Sequence, residues 1–225
     1  MKDQYFADFG DYQKVSLLQI LKDENLSLVV HWLKTQDDLS TDGKHIKYLD
    51  TPLLWRDYEP EIYDYLKTKL ATGSRSLRHI EESLFCEDIH FINNLIEDRS
   101  ERKKSIDLIT QNSTFDLVFF DPDNGIEVAS TNKKNIHKYV LWEEIIAAYS
   151  SGKSVMIYQH FSRSNREVFI KIKLEDLKQR LGAEVMALRG KHSVYLWAIQ
   201  PQHSDKIKSA LSKFSAKWKG LGTVV

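Results

Sequence analysis

Hydrophobic positions along the chain fall into short unbroken runs, separated by longer segments with helical spacing. Residues 26–33 (LSLVVHWL), 117–120 (LVFF) and 153–159 (KSVMIYQ) carry apolar runs with little alternation, the pattern of strands covered on both faces. Residues 89–92 read as a further short strand. Helical segments lie between these runs. A helix over 11–22 puts Val15, Leu18 and Leu21 on one stripe, with Asp11 as its cap. Pro60 suits the first turn of a helix over 59–70, since its missing N–H costs nothing there. Further helices are predicted over 76–85, 98–110, 139–149 (after a brief extended piece) and 167–181, the last ended by Gly182. Residues 184–188 and 194–199 form a hairpin with Gly190 in its turn, and a final helix from 204 aligns Ile207, Leu211 and Phe214.

Strands alternating with helices predict one α/β domain over 1–225: a mostly parallel, Rossmann-like sheet with helices on both faces and a C-terminal antiparallel hairpin. Composition agrees with such a fold. At 225 residues and 42% hydrophobic the chain can bury a sizeable core, and its 32 basic and 32 acidic residues cancel. A formal net charge of zero removes any global electrostatic case for nucleic acid and leaves only local basic patches, such as the lysines of the last helix. The single cysteine, Cys86, rules out an intrachain disulfide or a cysteine zinc cluster and reads as a small buried filler. With no leader-like segment and no apolar run of membrane-crossing length, a cytoplasmic protein is expected.

The chemistry concentrates after residues 117–120. The run stops at Asp121-Pro122-Asp123-Asn124-Gly125, where Pro122 cannot donate to a ladder and Asn124-Gly125 signals a turn. A buried parallel strand that ends in a polar turn is where open α/β sheets bind ligands. Asp121, Asp123 and Asn124 are therefore the first candidates. The bland alternative is a turn in which these side chains bond nearby backbone. Gly125 is expected to supply a positive φ. The next buried strand ends in His160-Phe161-Ser162-Arg163, so His160 and Arg163 share that edge, one as proton carrier and the other as anion clamp. Tyr158 and Gln159 point to opposite faces, so one of them faces the ligand. The polar loop 34–45 joins the same edge, and its Asp37, Asp38, Asp42, Gly43, Lys44 and His45 are candidates for metal or ribose hydroxyls, or plain solvated charge. Trp142-Glu143-Glu144 reads either as a lid over the pocket or as an amphipathic helix with Trp in the core.

This order of elements, with an Asp-Pro at the end of the central strand, resembles class I AdoMet-dependent methyltransferases. Asp121-Pro122 falls where amino-methyltransferases of DNA and RNA carry an Asp/Asn-Pro-Pro-aromatic motif. The opening FADFGDYQKVSLLQIL resembles the start of the ribosomal RNA adenine-N6 methyltransferases, which draws attention to Asp8, Asp11 and Lys14, otherwise a helix cap and surface charge. The whole chain is similar to a bacterial family of uncharacterised proteins sharing DPDNG, a Trp-acidic pair and a His-x-x-Arg motif, here residues 121–125, Trp142-Glu143 and 160–163. The resemblance implies AdoMet as cofactor and an amino group, on nucleic acid, as acceptor. Asp121 would orient the target nitrogen and the carbonyl of Pro122 would hold its second proton. Lys34-Thr35-Gln36-Asp37-Asp38 stands where the family has a glycine-rich loop, and Asn124 where it has an aromatic residue. Two alternatives follow from the residues themselves. Asp121 and Asp123 would hold Mg²⁺ for phosphate-ester hydrolysis, with His160 moving a proton and Arg163 gripping phosphate. Or the fold persists as a non-catalytic binding protein without its cofactor.

Overall fold

A computed structural model describes residues 1–38, 43, 45–96 and 98–225. Seven strands form one sheet: β1 (Leu28–His31), β2 (His90–Ile92), β3 (Leu117–Phe120), β6 (Ser154–His160), β7 (Glu184–Arg189), β8 (Ser193–Ile199) and β9 (Thr223–Val224), in the order β2-β1-β3-β6-β8-β7-β9. The four strands β2, β1, β3 and β6 pair in parallel, whereas β8 is antiparallel to both β6 and β7, and β9 is antiparallel to β7. β4 (Gly125–Ile126) and β5 (Tyr139–Val140) make a separate two-stranded parallel pair.

The two-residue period of the strands divides the core in two. Val30 of β1, Phe119 of β3, and Met156 and Tyr158 of β6 pack on one face. They meet α1 (Phe9–Asp23), α3 (Pro60–Ala71) and α8 (Ser204–Lys217); the short helices α2 (Pro52–Trp55) and α4 (Arg78–Glu81) lie between α1 and β2 in the chain. Val29, Val118, Phe120, Val155 and Ile157 pack on the opposite face, against α5 (Arg99–Gln111), α6 (Trp142–Ser150) and α7 (Arg166–Leu181). The sheet is thus Rossmann-like, with both faces covered.

Local chemistry explains most boundaries. The Asp98 side chain caps α5 by accepting from the amides of Ser100 and Glu101. Asn165 caps α7 in the same way, and Gly182 ends it with φ of 61°. α1 begins two residues before the predicted start, because Asp8 is its cap and accepts from the Asp11 amide at 2.9 Å. Asp11 is instead buried inside the helix, where its carboxylate accepts from the Ala7 amide at 3.0 Å. The helix predicted over 76–85 is one turn, Arg78–Glu81, followed by a 3-10 turn at Leu84–Cys86. Cys86 is buried and free, and burial pushes its thiol up to about 11. No helix among the described residues is long and apolar enough to cross a membrane.

Candidate functional site: a cleft at the carboxyl edge of the sheet

The chain runs from β1 to β2 on one side and then crosses to β3 on the other. The topological switch point therefore lies between the carboxyl ends of β1 and β3, where open α/β sheets receive their ligands. Asp121 follows β3 at that point and continues the alternation of Leu117 and Phe119, so its side chain turns toward α1. There it meets Lys14, whose ammonium lies 2.8 Å from its Oδ2. Both residues are almost wholly buried. Burial works against the Lys14 ammonium, but Asp121 and Asp11 outweigh it and hold that pKa well above the usual lysine value. Burial, with Asp8 nearby, pushes the Asp11 carboxyl well above the ordinary range. Lys14 is thus part of a buried charge cluster and not the surface charge its sequence context suggested.

Asp123 takes a different cation. Its Oδ1 lies 2.7 Å from the ammonium of Met1, and its Oδ2 accepts from the Thr35 hydroxyl at 2.9 Å. The same ammonium donates to the carbonyl of Leu33 at 3.0 Å, and the Thr35 amide donates to the carbonyl of Met1 at 2.9 Å. Burial opposes ionisation of Asp123, yet the ammonium and Thr35 hold its pKa below the usual carboxylate value. Asp121 and Asp123 therefore take different partners, Lys14 and the Met1 amine. Burial lowers the pKa of that amine against the pull of Asp123 and Asp121. Among the described residues no three His, Cys, Asp or Glu side chains come together as a metal cage. That arrangement removes the basis on which the two aspartates were expected to share Mg²⁺.

Above these pairs opens a cavity of about 340 Å³, walled by Met1, Lys14, Asp121, Pro122, Asp123, Asn124, Tyr158 and His160 among others. Asn124 contributes an exposed side chain, while its amide donates to the Lys138 carbonyl and its own carbonyl accepts from Gln159. Gly125 has φ of 98°, and a Cβ there would stand 2.3 Å from the Gln159 side chain. Gln159 is thus the inward partner of the turn: its side-chain oxygen accepts from the Ile126 amide and its NH₂ donates to two carbonyls. Tyr158, on the other face, looks into the cleft with the Lys14 ammonium 4.3 Å from its ring centroid, and burial pushes its phenol up to about 12. His160 sits at the rim with one side open to solvent. Crowding by protein atoms, then the Lys14 cation, lowers its pKa below the usual imidazole value, with Asp121 and Asp8 opposing.

Of the remaining candidates, Asp38, Gly43 and His45 also line the cavity, whereas Asp37, Arg163 and the Trp142 motif do not. Arg163 is exposed in the loop after β6 and does not line the cavity. Asp37 accepts from the Gln4 amide at 3.1 Å, and Asp38, at the cavity wall, pairs with Lys2. Gly43 lies against Tyr5 with φ of 75° and its carbonyl accepts from Arg75. Asp42 and Lys44 lie outside the described residues. Trp142-Glu143-Glu144 belongs to the opposite face. Glu144 is buried and bidentate to Arg102 (2.8 and 2.6 Å), and Trp142 stacks under Arg180, so this motif braces α5 on α6 and does not cover the cleft.

The cleft continues sideways into a second cavity of about 640 Å³, sharing Asp8, His45, Tyr158 and His160 with the first. Phe9, Tyr48 and Trp55 form its wall. Phe9 and Trp55 meet edge to face with centroids 4.9 Å apart. Sequence reasoning gave these residues no site role. The one available signal was the density of aromatic residues around positions 5–12 and 48–58.

Fold and cleft together define a class: a Rossmann-like α/β protein with a charged pocket at its topological switch point. No protein-family model matches the chain, and no curated protein matches it. Among solved structures, human methyltransferase-like protein 13 in complex with SAH is similar over 89% of this chain and 89% of its own, at 13% identity and a TM-score of 0.32.

Proposed function

We propose that the chain is an AdoMet-dependent methyltransferase acting on an amino group. The observation that supports it best is the way the switch-point crevice holds an α-ammonium. Asp123 and the Leu33 carbonyl grip that of Met1, and the Thr35 amide grips the carbonyl of the same residue. These donors and acceptors suit the amino-acid end of AdoMet, whose methionine carries the same ammonium next to a carboxylate. In place of the glycine-rich loop, the backbone at Leu33 and Thr35 makes the close approach. Asp123, Leu33 and Thr35 are the residues that would hold the cofactor once Met1 is displaced.

When bound, AdoMet supplies an electrophilic methyl group. The chain's own residues handle the acceptor. Asp121, paired with Lys14 at 2.8 Å, offers its carboxylate as a strong hydrogen-bond acceptor. It would hold one N–H of the target amine and turn the nitrogen lone pair toward the crevice, and the Pro122 carbonyl would take the second N–H. His160, with its lowered pKa, is neutral at physiological pH and positioned at the rim to accept the proton the methylated nitrogen sheds. Asn124 would contact the acceptor from the turn.

Isothermal calorimetry with AdoMet and with SAH tests the proposal. Binding in the micromolar range is expected. It should weaken at least tenfold in Asp123→Asn, which removes the charge that holds the ammonium. No heat at millimolar ligand overturns the assignment.

A further inference from the structure

The aromatic cavity opens beside the switch-point cleft and shares Asp8, His45, Tyr158 and His160 with it. We propose that it receives an unpaired base of a single-stranded nucleic acid, which makes such a strand the acceptor substrate; this rests on the amino-methyl-transfer reading above. Three observations carry it. The wall is built from rings, with Phe9 and Trp55 half-buried and so presenting ring surface to the cavity. Every base has a π-face, and ring-on-base contact is the general mode for unstacked bases. A base inside a duplex already has both faces covered, so such a wall selects for one that is free.

Second, the rim is cationic. Lys47 and Lys191 line the mouth, are exposed, and have no ion-pair partner among the described residues, and His45 and His192 stack beside them at 6.0 Å. The lysines of α8 contrast with these: Lys208 pairs with Glu184, Lys213 with Glu24 and Lys217 with Glu59, while Lys206 donates to the Asn25 carbonyl. In a chain of zero formal net charge, Lys47 and Lys191 thus leave uncompensated positive charge at this mouth, whereas Lys208, Lys213 and Lys217 of the lysine-rich helix are matched by carboxylates. Third, Leu53 and Leu54 directly precede the wall residue Trp55 in α2 and are 96% and 67% exposed. Apolar side chains held out in this way beside a base pocket suit contact with the neighbouring base of a strand. The shared residues Tyr158 and His160 join the two cavities, so a base lodged against Trp55 places its neighbourhood within reach of Asp121.

Fluorescence anisotropy with labelled twelve-nucleotide RNA and DNA strands, the matching duplexes and a free mononucleotide tests this. Single strands should bind at least tenfold tighter than duplexes. The exposed double variant Lys47→Ala/Lys191→Ala should bind more weakly and lower the slope of log K against log salt by about 1.4, at about 0.7 per lost phosphate contact on a single strand. Trp55→Ala should weaken all sequences about tenfold, while AdoMet calorimetry on both variants stays at the parent value. Equal affinity for strand and duplex, or unchanged binding in the lysine variant, overturns the proposal. The two failures separate cleanly. Strand binding without AdoMet heat removes the methyl-transfer assignment, whereas AdoMet heat without strand binding removes this one. Preference between RNA and DNA names the strand.

Discussion

Asp121 and Lys14 illustrate how a charge becomes useful by being enclosed. A buried ion pair is weak evidence for stability, but removing one partner leaves the other charge uncompensated. Lys14→Met is therefore expected to cost about 3–5 kcal/mol in chemical denaturation. Combining it with Asp121→Asn should recover part of that loss while any activity stays absent. Recovery of activity in the double variant would show that Asp121 orients nothing.

His31 ends β1 on the opposite face, beside Phe120, with neither ring nitrogen hydrogen-bonded. Burial first, then Arg102, lowers its pKa to about 3. In the unfolded chain an imidazole titrates near 6.5, so between these values the unfolded state binds the extra proton. Stability from this residue is complete above pH 6.5 and is lost as pH falls toward 3, at about 1.4 kcal/mol per pH unit. Denaturant midpoints of His31→Leu should fall less between pH 6.5 and 4.5 than those of the parent; parallel curves would refute it. At Gly125 the backbone and the packing agree: Ala there meets a positive φ and Gln159 at once, and a loss of about 2 kcal/mol or more is expected in thermal melts.

At the scale of elements, capping and burial decide which charges are free to act. Asp8 takes the cap of α1, which frees Asp11 to turn inward toward Lys14. The Arg102–Glu144 bridge locks α5 onto α6 and ties Leu141 through its amide. It is 6% and 4% exposed, so Arg102→Ala should destabilise by about 3–5 kcal/mol without altering cofactor affinity in calorimetry. α8 carries many lysines but spends them on Glu24, Glu59 and Glu184. Replacing Lys208 and Lys213 together by Gln should leave strand affinity within about twofold, since Glu184 and Glu24 already match their charge. A large loss in anisotropy would move the strand from the aromatic cavity to this helix.

Across the whole molecule, the switch point joins residues far apart in the chain. Met1, Leu33, Thr35 and Asp123 meet there, and next to them Lys14, Asp121, Tyr158 and His160. A Gly-Ser extension ahead of Met1 turns its ammonium into an amide and leaves Asp123 without a cation, which should lower the melting temperature. AdoMet, bringing its own ammonium, should then raise the melting temperature of the extended protein more than that of the parent. Equal shifts would argue that the cofactor does not enter this crevice.

The fold was legible because its signals are local: apolar runs without alternation at 117–120 and 153–159, the break at Gly182, and the stripe of Ile207, Leu211 and Phe214. The turn at 121–125 was legible for the same reason, since Pro122 and Asn124-Gly125 constrain the backbone whatever surrounds them. Partner choice was not. That Asp121 selects Lys14 and Asp123 selects Met1 depends on which helix crosses which strand end, over separations of 107 and more than a hundred residues. Likewise the sequence displays the lysines of α8 and hides Phe9, Tyr48 and Trp55, because ion pairing and the depth of a cavity exist only once distant segments have packed. Sequence alone determined the sheet, its edge and the acidic turn upon it; the tertiary structure decided which charges stay neutralised, which cavity stays open, and therefore where a ligand can bind.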